Sequence, residues 1–144
     1  ALASFPESAN AYDHQAKDAG YLDAIAELRL TPRILRRNGG NPADLLKSLR
    51  ADPACTAVVC LESAHGLGLM AQAQKQGLRV PEDLAVISFD DGDVGALLHP
   101  PMSSLHAFGA DLADLAMQRL REILDGTAPR PVRETLPCPL ILRP

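Results

Sequence analysis

The sequence predicts an α/β fold, a parallel sheet flanked by helices on both faces. Two short runs, Thr56 to Leu61 (TAVVCL) and Leu84 to Phe89 (LAVISF), are apolar and rich in β-branched residues without the alternation of a half-exposed strand. Strands buried on both faces of a parallel sheet have this composition. Between and around them lie stretches with apolar residues at helical spacing. Strand and helix alternate along the chain, and alternation of that kind packs as a parallel sheet between helices.

Taken in order, Ala1 to Phe5 reads as the end of a strand followed by a loop at Pro6. A helix is predicted from about Ala11 to Leu28, with Ala16, Ala19, Leu22, Ile25, Ala26 and Leu28 recurring at helical spacing and Ser8 or Asn10 available as its cap. Pro32 ends it, and Arg33 to Arg36 holds a short Ile-Leu strand. Asn38-Gly39-Gly40 is a turn, and Asn41-Pro42 pairs a capping side chain with proline at the first helical position. The helix it starts carries Leu45, Leu46 and Leu49 and stops at Asp52-Pro53. A third helix, from about Ala64 to Gln76, follows the first apolar strand, and Gly77 is placed to cap its end. After the second apolar strand, Asp90-Asp91-Gly92 breaks the pattern and His99-Pro100-Pro101 marks an extended connection. Ser103 to His106 is a short strand and Gly109 to Leu124 an amphipathic helix. Leu136 to Leu142 is a last extended segment, which Pro137 and Pro139 confine to a sheet edge because proline cannot donate to a ladder.

Composition excludes several classes. The 144 residues suit one ordinary domain, and 47% apolar with 22% charged residues is the balance of a globular one. No run approaches the roughly 18 apolar residues of a membrane span, and no basic segment precedes the apolar opening as in a signal peptide. The net charge of −4 argues against nonspecific binding of polyanions, and Arg29, Arg33, Arg36 and Arg37 read as a solvated helix end and the outer face of a strand. Three cysteines (Cys55, Cys60, Cys138) cannot form a complete disulfide framework, so a reducing, cytoplasmic setting is expected. His14, His65, His99 and His106 have no metal-ligand spacing. Neither a Gly-x-Ser-x-Gly elbow nor a phosphate loop occurs, so no catalytic residue and no cofactor is expected.

Gly77-Leu-Arg-Val-Pro-Glu-Asp-Leu-Ala-Val-Ile-Ser-Phe-Asp-Asp91 resembles a signature of the lac/gal repressor family of transcription regulators. His99-Pro-Pro-Met-Ser-Ser-Leu105 is similar to that family's crossing segment, and Asp18-Ala-Gly-Tyr21 to the start of the helix that carries an effector-contacting residue. The resemblance implies a type I periplasmic-binding-protein-like core of two α/β subdomains crossed three times by the chain, truncated here to roughly one subdomain. Residues 1–103 would form the C-terminal effector-binding subdomain, 104–133 a crossover and helix of the other subdomain, and 134–144 a returning edge segment. The N-terminal helix-turn-helix head, the only part expected to touch operator DNA, would lie outside this sequence. The apolar face of the 109–124 helix (Leu112, Leu115, Ala116, Leu120, Ile123) would then lack its partner, so swapping or non-native packing of it is expected.

By resemblance, Asp90 accepts hydrogen bonds from effector hydroxyls, a role suited to a carboxylate at a strand's end; a plain turn aspartate is the alternative. Lys17 stands where the family usually has arginine, giving a point charge instead of a bidentate clamp. Asp13 either pairs with Lys17 one turn on or flanks the ligand. Glu62 and Ser63 stand where the family commonly has Asn-Asp. Glutamate in place of the amide removes a donor and adds negative charge beside Asp90, which favours a cationic or hydroxyl-rich effector over a phosphorylated one, with loss of the usual effector response as the alternative. These regulators pair two-fold, so Leu67, Leu69, Met70 and Leu97 are candidates for a homodimer interface, with ordinary core as the alternative. The function implied is effector binding and dimerisation in a repressor-like regulator sensing a sugar or similar metabolite, with no membrane partner. A sugar-binding protein of an ABC transporter, of the same architecture, and an α/β enzyme are the rivals.

Overall fold

The computed structural model describes residues 1–4, 11–36, 41–89, 93–106, 109–127 and 133–144. Six strands form one sheet: β1 (Leu2–Ser4), β2 (Ile34–Arg36), β3 (Ala57–Cys60), β4 (Ala85–Phe89), β5 (Ser103–Leu105) and β6 (Leu140–Ile141). Their order is β2-β1-β3-β4-β5-β6, parallel throughout except for the last pair. The helices are α1 (Ala11–Glu27), α2 (Pro42–Arg50), α3 (Ser63–Lys75), the short α4 (Asp93–Ala96) and α5 (Ala110–Leu124). The mostly parallel sheet with crossover helices is the architecture the sequence predicts. The proline-rich last segment does sit at an edge, where it pairs antiparallel over two residues.

Local chemistry sets the boundaries. Asn41 accepts the Ala43 N–H at 3.0 Å on its side chain, and Pro42 opens α2 without leaving a donor idle. Gly77 has φ +73°, the left-handed conformation that ends α3, while Leu78 N–H bonds back to the Ala73 carbonyl at 3.0 Å. The caps expected at Ser8 or Asn10, and the Asn38-Gly39-Gly40 turn, lie outside the described residues. The α4 turn was not anticipated: four residues with a glycine inside carry no readable periodicity.

The core is one apolar seam between α2, α3 and one face of the sheet. Leu45, Leu46 and Leu49 of α2 meet Leu69, Met70 and Ala73 of α3 over Ala3, Val58, Cys60, Leu84 and Val86, all buried. The row Ala3–Cys60–Ser88–Ser104 runs across this face in register, and every member is fully or almost fully buried. The opposite face carries Leu2, Val59 and Ile87 in register. Leu2 is fully buried there, beneath the sheet's contact with α1, but Val59 and Ile87 are only half-buried. Arg143 closes the far edge, donating to the Met102 carbonyl at 2.7 Å and to Ser104 Oγ at 2.8 Å.

Two predictions follow from this packing. A Cβ at Gly68 would lie 2.5 Å from Pro42 Cγ, so α3 and α2 touch where a methyl has no room. Gly68→Ala should lower the urea midpoint, by an overpacking cost of about 1–3 kcal/mol, although glycine-to-alanine in an open helix is stabilising. Burial also pushes the Cys60 thiol up to about 12. In the native chain an aromatic disulfide reagent should therefore label exposed Cys138 quickly and reach Cys60 only after urea is added.

Candidate functional site

Because β1, β3, β4 and β5 are parallel, their carboxyl ends share one edge of the sheet. The order reverses at β1, which has β2 on one side and β3 on the other. Open α/β sheets bind ligands outside the carboxyl ends at such a reversal.

Lys17, half-buried on α1, holds its Nζ 5.2 Å from the centroid of the Phe89 ring at the end of β4. That separation is within cation–π range. Phe89 is the residue before Asp90, so Lys17 is positioned beside the strand end from which Asp90 continues. Asp90 itself lies outside the described residues. Asp13 falls in the first turn of α1, where no side chain is described, so its pairing with Lys17 is not decided.

Glu62 and Ser63 sit at the neighbouring strand end. Cys60 and Ser88 are register partners, and Glu62 follows Cys60 by the same two residues that separate Asp90 from Ser88. Glu62 is the N-cap of α3 in extended conformation, yet its side chain makes no capping bond. Its carbonyl accepts from the His65 and Gly66 N–H groups at 3.2 and 3.3 Å, while its carboxylate lies 3.6 Å from His65 Nδ1. Ser63 is the first residue of the helix and half-buried. Burial pushes the His65 pKa below its ordinary value, and the Glu62 carboxylate opposes that shift.

The four interface candidates separate by burial. Leu69 (0% exposed) and Met70 (3%) belong to the core and have no surface to offer a partner. Leu67 is half-buried and Leu97 is 82% exposed, next to the exposed Val94. Helix α5 has no buried residue, and Leu112, Met117, Leu120 and Leu124 are all exposed. A hollow of about 450 Å³ along it is lined by Asp114, Met117, Gln118, Arg121, Glu122 and Asp125, one helix and its cap, and so encloses nothing.

Three contributors escaped sequence reasoning. Phe89 was read only as part of the strand. Asp18 lies on the inward side of α1 with the half-buried Tyr21 and Ile25, but Leu22, at the same helical spacing, is 42% exposed, so the spacing alone does not mark Asp18 as buried. Arg36, read as solvated, donates from Nη2 to Asp18 Oδ2. Arg33 likewise pairs with Asp52 at 3.0 Å and donates to the Ser48 carbonyl. Among the described residues no cluster of His, Cys, Asp and Glu is arranged to hold a metal, and no described helix is long and apolar enough to cross a membrane.

Comparison with known proteins matches residues 1–144 to the periplasmic binding protein-like domain. The chain is 30% identical over 118 residues to the HTH-type transcriptional repressor PurR of Vibrio cholerae, covering 75% of this chain and 35% of that protein. It is 30% identical over 132 residues to the HTH-type transcriptional repressor CytR of Escherichia coli, covering 86% and 38%. A regulatory protein of the LacI family from Chloroflexus aggregans superposes with a TM-score of 0.84 at 29% identity, covering 99% of this chain and 53% of that one. The chain thus spans little more than a third of these curated relatives and about half of the solved structure.

The Glu62–His65 contact generates a pH prediction. The folded His65 pKa lies below the unfolded 6.5, so folding favours the neutral ring. That contribution to stability is complete above pH 6.5 and is lost as pH falls through the lower folded value. By NMR, His65 should titrate below the range of exposed histidines, and Glu62→Gln should lower its midpoint further. An upward move in that variant would contradict the assignment.

Proposed function

The chain belongs to the periplasmic binding protein-like domain family, in the branch of the lac/gal repressors, and we propose that it is the effector-binding and dimerisation part of a ligand-responsive transcription regulator. The observation that carries this reading is Lys17 held over Phe89 at the end of β4, with Glu62 and Ser63 at the end of the adjacent strand. The ammonium of Lys17 and the carboxylates of Glu62 and Asp90 would together serve a small ligand bearing several hydroxyls, each able to donate and accept. A sugar or similar metabolite fits this set better than a phosphorylated one, which Glu62 and Asp90 would repel.

In this reading the strand ends form one wall of a cleft between two subdomains, with residues 104–133 belonging to the opposite one. The exposure of Leu112, Met117, Leu120 and Leu124, with Leu115 and Ile123 only half-buried, supports that placement. Effector bound in the cleft favours one hinge angle, and the angle sets the spacing of two DNA-binding heads on their half-sites. Two copies pair through the surface around Leu67 and Leu97. DNA contact belongs to a helix-turn-helix segment beyond this chain, consistent with the net charge of −4 here and with the HTH-type names of the relatives. A cytoplasmic location goes with that role. The relatives are repressors, which disfavours both the transporter-associated and the enzymatic alternatives.

The test is a thermal-shift screen of sugars and related metabolites on the full-length gene product. A ligand at 100 times its Kd stabilises by about 2.7 kcal/mol and should raise the melting temperature by several degrees. Asp90→Ala should abolish that rise, and Lys17→Met should weaken it, with unliganded melting unchanged in both. A ligand response that survives both substitutions would place the site elsewhere.

A further inference from the structure

We infer that the ion pair between buried Asp18 and half-exposed Arg36 is a positioning device that fixes the rotation of α1 and thereby holds Lys17 over Phe89. The inference deepens the effector-site reading above, but its geometry and its test stand without any ligand. Asp18 is 8% exposed and lies on the inward side of α1 with the half-buried Tyr21 and Ile25. Arg36, the last residue of β2, donates to its Oδ2 from a side chain that is 51% exposed. Asp18 Oδ1 is buried with no hydrogen-bond partner among the described residues.

A buried carboxylate is a poor choice for stability at such a position. Desolvation offsets most of the attraction within a buried ion pair, and apolar residues of the same volume usually hold a helix as well or better. What the pair supplies is direction, because a guanidinium and a carboxylate meet in few geometries whereas apolar contacts tolerate sliding and rotation. Here direction matters because Lys17 is the next residue along the helix. A turn of α1 about its axis that replaced Asp18 by a neighbour would carry Lys17 away from the Phe89 ring. The second polar tie, Tyr21 Oη with the Arg33 N–H (3.0 Å) and carbonyl (3.3 Å), holds the same side of α1 against the start of β2. It lies one turn further from Lys17.

The test reads Lys17 directly in the unliganded chain. The Lys17 side-chain methylene protons should resonate upfield through the Phe89 ring current and return to ordinary values in Phe89→Leu. In the double variant Asp18→Leu/Arg36→Met the melting temperature should hold within a few degrees while the upfield shift is lost. Tyr21→Phe should lower the melting temperature and leave the shift in place. A folded double variant that keeps the shift would overturn the proposal and leave the pair a purely structural contact. Should the double variant not fold, Arg36→Lys against Arg36→Gln decides the matter. The shift kept in the first and lost in the second supports positioning, and the shift equal in both refutes it. Neither result bears on whether a sugar binds, so failure here leaves the effector reading to its own thermal-shift test.

Discussion

Parallel pairing is the constraint on which the rest of this structure depends. A strand that must run beside its predecessor in the same direction needs a connection long enough to return the chain to its starting edge, and a helix on one face of the sheet provides it. The pairs β1–β2, β1–β3, β3–β4 and β4–β5 are all parallel, so five carboxyl ends meet at one edge on either side of the reversal at β1. Lys17, Glu62, Ser63 and Phe89 are far apart in the chain, yet that topology gathers them. The topology alone brings them to one edge, without needing any pairwise attraction among them.

The two faces of the sheet solve the burial problem differently. On one, leucines of α2 and α3 close over small and β-branched strand residues, and the contact is apolar and dense. Such contacts are strong in aggregate and indifferent to direction. On the other, only Leu2 is fully covered among the strand residues in its row, and α1 is tied down by Asp18–Arg36 and by Tyr21 to the Arg33 backbone. The helix that brings a charged residue to the strand ends is therefore the one held by directional bonds. The helices that supply the core are held by bulk.

This division explains what the sequence made legible. The apolar strands at Ala57–Cys60 and Ala85–Phe89, the Asn41-Pro42 start and the Gly77 stop each rest on a local rule, and each agrees with the structure to within one or two residues. Leu69 and Met70 were indistinguishable from Leu67 by pattern, because α3 (SAHGLGLMAQAQK) has small or apolar residues on nearly every face and little contrast between inside and outside. Only the position of α2 tells the faces apart. Asp18 and Arg36 were missed for the opposite reason. Arg36 reads as solvated and Asp18 only as the first residue of a motif until the fold puts them together, and no local rule joins residues that far apart in sequence.

The exchange at Glu62 shows how a local rule and a site requirement separate. Glutamate is a weak N-cap residue, and here its carboxylate makes no capping bond although it stands at the cap. A stronger cap would bond the first turn with its side chain. Glu62 leaves the contact to its main-chain carbonyl and carries its carboxylate beside the amino end of the helix, whose dipole favours negative charge, and 3.6 Å from His65 Nδ1. The helix thus gives up a capping bond and places a carboxylate at a strand end, next to the strand whose terminus faces the Lys17 ammonium. Charge of both signs is kept apart on one edge, and a ligand with both donors and acceptors is what such an edge can satisfy.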